Sequence, residues 1–328
     1  MPAEAPPPPQ NSLFCFGYGY SCDYIRHELV ENTAAQRGTW SVSGTTRDEN
    51  KQEKLLNRGI ASHLFDIGSP LIEPTDLLEN VTHLLISTPP NDDGDPSFLV
   101  HKDDILRLKN LKWVGYFSTS GVYGDRGGDW IDETAELRPS SQRGSRRKLA
   151  EEQWLSLHKT HNLPVHIFRL PGIYGPGRSA LDSIRAGVAR RIEKPGHVFN
   201  RIHVEDIAQA IIASMTAPSP GKVYNISDDE PAPSHEVISY ACRLLGRTEP
   251  ELVAFDHADL APITRSFYSD NKRIKNDVMK SGLGVSLKYP TYREGLTACL
   301  EAENYALSVA QSDTGAGGGA QTPKIFSS

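Results

Sequence analysis

Leu13-Phe14-Cys15-Phe16-Gly17-Tyr18-Gly19-Tyr20-Ser21-Cys22 is an apolar run that breaks into glycines and then into helical spacing. Leu13 to Phe16 reads as a buried strand. Cys22, Ile25, Leu29 and Val30 recur on one helix face, which predicts a helix over 21–31. Between them stands the spacing G-x-G-x-x-small, informative because a strand precedes it and a helix follows. Gly17 permits the tight turn, Gly19 lets backbone approach a pyrophosphate, and the small Cys22 allows helix to pack closely on strand. The helix start adds free N–H groups and a positive dipole end. Gly17, Tyr18, Gly19, Tyr20, Ser21 and Cys22 are therefore expected to cradle a dinucleotide. The competing reading is a glycine turn that merely joins strand to helix.

Outward from this unit the pattern repeats, with apolar runs at 40–43, 61–65, 82–87, 113–118, 164–170 and 222–226 reading as strands. Helices are expected mainly at 103–109, 145–158, 180–189, 204–215 and 234–245. Strands alternating with helices predict a Rossmann-type α/β fold, a doubly wound parallel sheet of about seven strands. One domain is expected over 12–308. Within it the segment at about 249–303, interrupted by Pro262, Gly282, Gly284 and Pro290, reads as a small C-terminal cap contributing the substrate cleft. The flanks, 1–11 and 309–328, are rich in Pro and Ala or in Gly, Ala, Ser and Thr, and are expected to be disordered tails.

The carboxyl edge of such a sheet decides which dinucleotide binds. An acidic residue ending the second strand would bond a ribose 2′-hydroxyl, whereas a cation accommodates a 2′-phosphate. The strand ends in Thr45-Thr46-Arg47, which favours NADP over NAD; alternatively Arg47 is a solvated loop charge beside Asp48. Asp66 and Ile67, ending the third strand, are placed to bracket adenine, and Ser87, Thr88 and Pro89 end the fourth strand on the same edge.

Composition narrows the class. The 328 residues carry a net charge of −6, with no basic footprint of the kind nucleic acid selects. Apolar runs such as Leu84-Leu85-Ile86 fall far short of the roughly twenty residues of a membrane span. Met1 to Gln10 lacks the basic start and apolar middle of a secretory signal. Cys15, Cys22, Cys242 and Cys299 are scattered, without metal-ligand spacing, so no metal is expected and reduced cytoplasm is the expected location. Cys22 is either a packing residue or a reactive thiol at a helix start.

Further runs carry a resemblance: Tyr116-Phe117-Ser118-Thr119-Ser120-Gly121-Val122-Tyr123-Gly124, Lys148-Leu149-Ala150-Glu151, Arg169 to Arg178, Arg201-Ile202-His203-Val204-Glu205-Asp206, and Tyr289 to Gly295. With the glycine turn they make the chain resemble the short-chain dehydrogenase/reductase superfamily, in its extended, NAD-dependent epimerase/dehydratase-like type, and within that the atypical YeeZ-like subgroup. The resemblance implies a Tyr and a Lys four residues apart on one helix face, the ammonium holding the nicotinamide ribose and the phenol passing a proton. Lys148 matches the Lys, but Gly144 stands where the Tyr belongs. Thr119 matches the hydroxyl that bonds the reacting substrate oxygen, with Ser118 and Ser120 beside it; all three are otherwise turn hydroxyls at a strand end. Ser120-Gly121 replaces the Asp-Glu of sugar-nucleotide dehydratases, which disfavours dehydration.

The resemblance places Tyr123 and Tyr174 near the substrate cleft, with Asp132 in a nearby loop, as substitutes for the missing Tyr; His203 reads as a structural hydrogen-bonder. It also places Pro171 with the cofactor and Arg178 with the substrate. Arg146, Arg147 and Lys148 read as cations in a first helical turn, opposed to its dipole. They are offset either by Glu151 and Glu152 or by an anion in the cleft. Pairing of two copies through helices on the sheet face is implied as well. Three functions stay open: an NADP-dependent oxidoreductase or epimerase-like enzyme on a small or sugar-like substrate, neutral or anionic; a non-catalytic NADP-binding sensor or scaffold; and a cofactor-free interaction protein.

Overall fold

The computed structural model describes residues 10–31 and 40–315, with side chains to 305. Seven strands form one parallel sheet: β1 (Asn11–Phe16), β2 (Trp40–Thr46), β3 (Ser62–Leu64), β4 (His83–Ile86), β5 (Trp113–Thr119), β6 (Val165–Leu170) and β7 (Val223–Asn225). Their order in space is β3-β2-β1-β4-β5-β6-β7. These are the seven runs read from the sequence. The order reverses between β1 and β4, so a crevice opens at the carboxyl ends of those two strands. Gly17 follows the one strand and Ser87 the other, and the Ser87 N–H donates to Phe16 O at 2.8 Å.

Burial on both faces explains why the strands are continuously apolar rather than alternating. Leu13 and Cys15 join one core cluster with Ile25, Ile207 and Ile211, while Phe14 and Phe16 join the opposite one with Ile86, Tyr116 and Trp154. The helices are α1 (Tyr20–Arg26, prolonged by a π-turn over His27–Glu31), α2 (Glu49–Asn57), α3 (Pro74–Leu78), α4 (Pro96–Leu106), α5 (Gln142–His161), α6 (Ala180–Arg185), α7 (Val204–Thr216), α8 (Ser234–Leu244), α9 (Pro262–Phe267), α10 (Asp277–Leu283) and α11 (Tyr292–Gly315).

Several boundaries differ from expectation, each for a local reason. Helix α2 escapes hydrophobic periodicity because only Leu55 on it is buried. Helix α4 starts at Pro96, earlier than expected, because the Asp95 carboxylate accepts the N–H groups of Ser97 and Phe98. Strand β1 takes in Asn11, which pairs with Trp40, so the N-terminal tail stops short of that residue. Helix α11, anchored by buried Tyr292, Leu296 and Cys299, meets no proline and runs through 309–315 of the segment expected to be a tail. The rest of both expected tails, 1–9 and 316–328, lies outside the described residues.

The cap is not confined to 249–303. Short parallel pairs join 172–174 to 201–203 and 191–193 to 252–254. Tyr174, Leu181, Val237, Tyr292, Leu296 and Cys299 share one cluster, so the lobe draws on three stretches of chain. Conversely, Met279 of α10 and nearby Val285 belong to the main core.

Candidate active site at the carboxyl edge of the sheet

At the turn after β1, Gly17 has φ +83°, the left-handed region that favours glycine, and a Cβ there would press on Thr88 N at 3.0 Å. Its N–H donates to Thr45 Oγ1 at 2.8 Å, and the Tyr18 N–H donates to Thr45 O at 2.7 Å. Gly19 is different. Its backbone is extended, no side chain caps the helix it starts, and a Cβ would meet nothing nearer than Gly17 O at 3.9 Å. Internal packing does not require glycine at 19, and the missing side chain leaves room for close approach from outside. That arrangement fits a pyrophosphate.

Side chains around the turn face elsewhere. The Tyr18 phenol, expected among the cofactor contacts, is buried and donates to Asp23 Oδ1 at 2.9 Å, because Asp23, itself held by Arg58, offers an acceptor inside the fold. Tyr18 can therefore meet a ligand only through its backbone. The Tyr20 hydroxyl donates to Pro176 O at 3.0 Å and so ties the turn to the 175–178 segment. Ser21 and Cys22 are buried, and the Cys22 thiol lies 3.8 Å from Gly17 O.

Along the rest of the edge, the Thr46 hydroxyl accepts the Asp48 N–H at 3.2 Å, and Asp48 in turn caps α2 by accepting the Lys51 N–H at 2.8 Å. Arg47 between them is exposed, and among the described residues it forms no ion pair. Asp66 accepts the N–H of its neighbour Ile67, whose side chain is exposed. Ser87 is half-buried and Pro89 exposed, while the buried Thr88 hydroxyl donates to Asp95 Oδ2 at 3.0 Å, so Thr88 reaches the edge without its hydroxyl. Pro171 is half-buried after β6.

At the end of β5 the Thr119 hydroxyl accepts the Gly121 N–H at 3.1 Å and caps a 3₁₀ turn over Ser120–Tyr123. Ser118 is buried with its hydroxyl unpartnered, and Ser120 is buried beside it. On α5, Lys148 is half-buried and its Nζ donates to Leu137 O at 3.3 Å. One turn earlier, a Cβ on Gly144 would lie 2.8 Å from Gly121 O and 2.8 Å from Pro139 Cβ. The family's phenol is not merely absent. Backbone of the 3₁₀ turn stands against its attachment point.

Tyr123 does not replace it. The side chain is fully buried; its hydroxyl donates to Asn225 Oδ1 at 2.7 Å and accepts from Arg169 Nη1 at 2.9 Å. Burial pushes the phenol up to about 12. Arg169 also pairs with Glu151 at 2.7 Å, and both are almost fully buried. This network was not anticipated, although an arginine inside an apolar strand was its signal. Asp132 is half-buried, its carboxylate taken by the Thr134 N–H at 2.9 Å and hydroxyl at 2.5 Å.

The three cations of α5 also differ from expectation. Because Ser141 caps the helix, they lie beyond its first turn. Arg146 pairs with Asp92 at 2.7 Å, and Arg147 donates to Tyr116 Oη at 3.1 Å and to Phe117 O. Glu151 is spent on Arg169, so the expected surface pairs do not form.

The residues expected around substrate fall into two groups. Ser118, Thr119 and Ser120 lie at the end of β5. Tyr174 and Arg178 instead line a cleft of about 370 Å³ in the cap, together with Ile173, Arg201, Val237 and Leu296. The Tyr174 hydroxyl donates to Thr291 O at 3.4 Å, and the ring packs edge-on to His203. His203 is buried and caps α7, accepting the Glu205 N–H at 3.3 Å, and burial pulls it down to about 4. Asp206 accepts the N–H groups of Lys288 and Tyr289, fastening the cap to α7. Among the described residues, no three His, Cys, Asp or Glu side chains gather as a metal site, and no helix is long and apolar enough to cross a membrane.

Comparison with known proteins agrees with this fold. A profile of the NAD dependent epimerase/dehydratase family matches residues 104–227. Protein YeeZ of Escherichia coli (strain K12) is 31% identical over 228 residues, 65% of this chain and 78% of the relative. Among solved structures, a functionally unknown conserved protein from Silicibacter pomeroyi DSS is 47% identical with a TM-score of 0.81, over 89% of this chain and 99% of that one. The fold alone is shared with UDP-glucuronic acid 4-epimerase from Bacillus cereus in complex with NAD, at 16% identity and TM-score 0.67, over 87% and 96% of the two chains.

Proposed function

Because this chain belongs to the NAD-dependent epimerase/dehydratase family of the short-chain dehydrogenase/reductases, in its YeeZ-like branch, we propose that it is an NADP-dependent oxidoreductase or epimerase-like enzyme. Its substrate is small or sugar-like and it works in the cytoplasm, as a pair of copies joined through sheet-face helices. The observation that carries the coenzyme reading is the pairing of an open Gly19 with an exposed Arg47 that forms no ion pair among the described residues, while the neighbouring Asp48 caps a helix. A guanidinium in that position suits a 2′-phosphate, and the adjacent Asp48 turns a carboxylate oxygen to the α2 amides.

The backbone from Gly17 to Tyr20 and the first amides of α1 would hold the diphosphate, with Asp66 and Ile67 about the adenine and Lys148 on the nicotinamide ribose. When bound, the nicotinamide supplies a hydride donor or acceptor. Thr119 already accepts from Gly121, which leaves its own proton to donate to a substrate oxygen. The unpartnered Ser118 hydroxyl is a second buried donor on the same strand end.

A second reading, a non-catalytic NADP-binding sensor or scaffold, is favoured by the backbone that blocks position 144. Purified protein given NADPH with a panel of aldehydes, ketones and nucleotide sugars separates the two. The enzyme predicts turnover that Thr119→Val abolishes while coenzyme binding persists; tight NADPH binding without turnover on the panel supports the sensor. Arg47→Ala is expected to weaken NADPH about tenfold or more and NADH hardly at all, read by calorimetry. Equal loss for both coenzymes would remove the argument for NADP.

A further inference from the structure

The cleft in the cap combines an apolar wall with an arginine floor. Ile173, Val237 and Leu296 supply the apolar surface, and Arg178 and Arg201 also line it. Arg201 projects from the strand at 201–203 and is half-buried; one terminal nitrogen, Nη1, donates at 2.9 Å to both Phe199 O and Ala232 O. Those two carbonyls hold the guanidinium in place without neutralising it. Among the described residues no carboxylate comes within ion-pair distance of it, and burial holds its pKa below the ordinary arginine value. A guanidinium taken from water without a counter-charge is costly, so an arginine kept in that position needs an anion to offset it.

The nearby acids do not fill that role. Asp182 lines the cleft, but its carboxylate closes a capping box, accepting from the Ser179 N–H and hydroxyl at 2.7 Å each. Asp228 is buried with both oxygens unpartnered, and burial raises it well above the ordinary carboxylate range even though Arg201 opposes the shift. Burial thus works against the charge that Arg201 would need from it, and the carboxyl lies beyond ion-pair distance of the guanidinium. Glu230 is paired with Arg293 across the start of α11.

We propose that this cleft is a binding site for a small organic anion, a carboxylate or phosphate ester on an apolar body, with Arg201 as its fixed anchor and Arg178 as its mobile one. A volume of about 370 Å³ suits a metabolite-sized ligand. The cleft is separate from the Ser118–Ser120 strand end, so the inference does not rest on the oxidoreductase reading. It touches the coenzyme turn at one point: the Arg178 guanidinium lies 5.7 Å from the centre of the Tyr20 ring.

Phenyl phosphate and 3-phenylpropanoate are the probes, with 3-phenylpropanol as the uncharged control, each titrated into the full chain by calorimetry with and without NADPH. One or both anions are expected to bind and the alcohol not. Arg178→Ala, an exposed change, should weaken the anion several-fold; Arg201→Gln should weaken it about tenfold or more. Val237→Trp, filling the cleft without touching either charge, should abolish anion binding, with circular dichroism and NADPH binding retained as the control for folding. The proposal is overturned if neither anion binds at millimolar concentration, or if binding survives both Arg201→Gln and Val237→Trp. NADPH binding in the same samples reports separately on the coenzyme site.

Discussion

Gly144 shows how one atom's worth of space constrains the chemistry. Alanine in place of glycine near a helix start ordinarily stabilises by up to about 1 kcal/mol. Here the added methyl would lie 2.8 Å from both a backbone carbonyl and a proline ring carbon, a crowding that costs about 1–3 kcal/mol. Gly144→Ala is therefore expected to lower the midpoint of urea unfolding, and Gly144→Tyr to lower it further without raising turnover; an increase in stability would mean the 3₁₀ turn yields freely. The absence of the phenol was legible from Gly144 standing four residues before Lys148, but the obstruction was not. It depends on Gly121, more than twenty residues away. The same holds for Tyr18 and Tyr123, whose hydroxyl partners Asp23, Arg169 and Asn225 are set by packing that no local pattern announces.

Helix α5 and strand β6 are joined by a buried ion pair, Glu151 to Arg169, extended through Tyr123 to Asn225 on β7. Removing one partner of such a pair leaves an uncompensated buried charge, worth about 3 kcal/mol or more. Glu151→Gln should show that loss in equilibrium unfolding, and the double change Glu151→Leu with Arg169→Met should recover much of it. If the double variant is as unstable as the single one, packing rather than charge holds these elements together. The strands were readable because burial on both faces leaves an uninterrupted apolar signature. Helices such as α2 were not, since a cap at Asp48 and one buried leucine define it.

Over the whole molecule, burial leaves four histidines, His83, His166, His197 and His203, at about 4, below their unfolded value near 6.5. The unfolded chain then binds more protons between those limits, so stability is complete above about pH 6.5 and falls as pH drops toward 4, by about 1.4 kcal/mol per unit for each group. Asp206, raised to about 6 by burial, works in the opposite direction over an overlapping range, and burial likewise raises Asp95, Glu133, Asp228 and Glu303. The histidine contribution is isolated by His83→Gln, which should make the change from pH 7 to pH 5 less destabilising than in the parent protein, read as the difference in Tm at the two pH values; an unchanged difference would contradict the burial of His83. The seven parallel strands and the dinucleotide turn followed from alternating runs and one glycine turn, whereas the order of the strands is seen only in the fold. The extent of the cap did not, because its clusters are stitched from stretches more than a hundred residues apart, and Arg201 shows its role only once Asp182 is seen to be committed to a helix cap and no carboxylate among the described residues to pair with the guanidinium.

The carbonyl that faces Gly144 also bears on engineering. A single exchange of glycine for tyrosine does not suffice to install a proton donor there, since the turn would have to retreat as well. Anyone wishing to build such an acid into this scaffold therefore has two loops to redesign, not one residue.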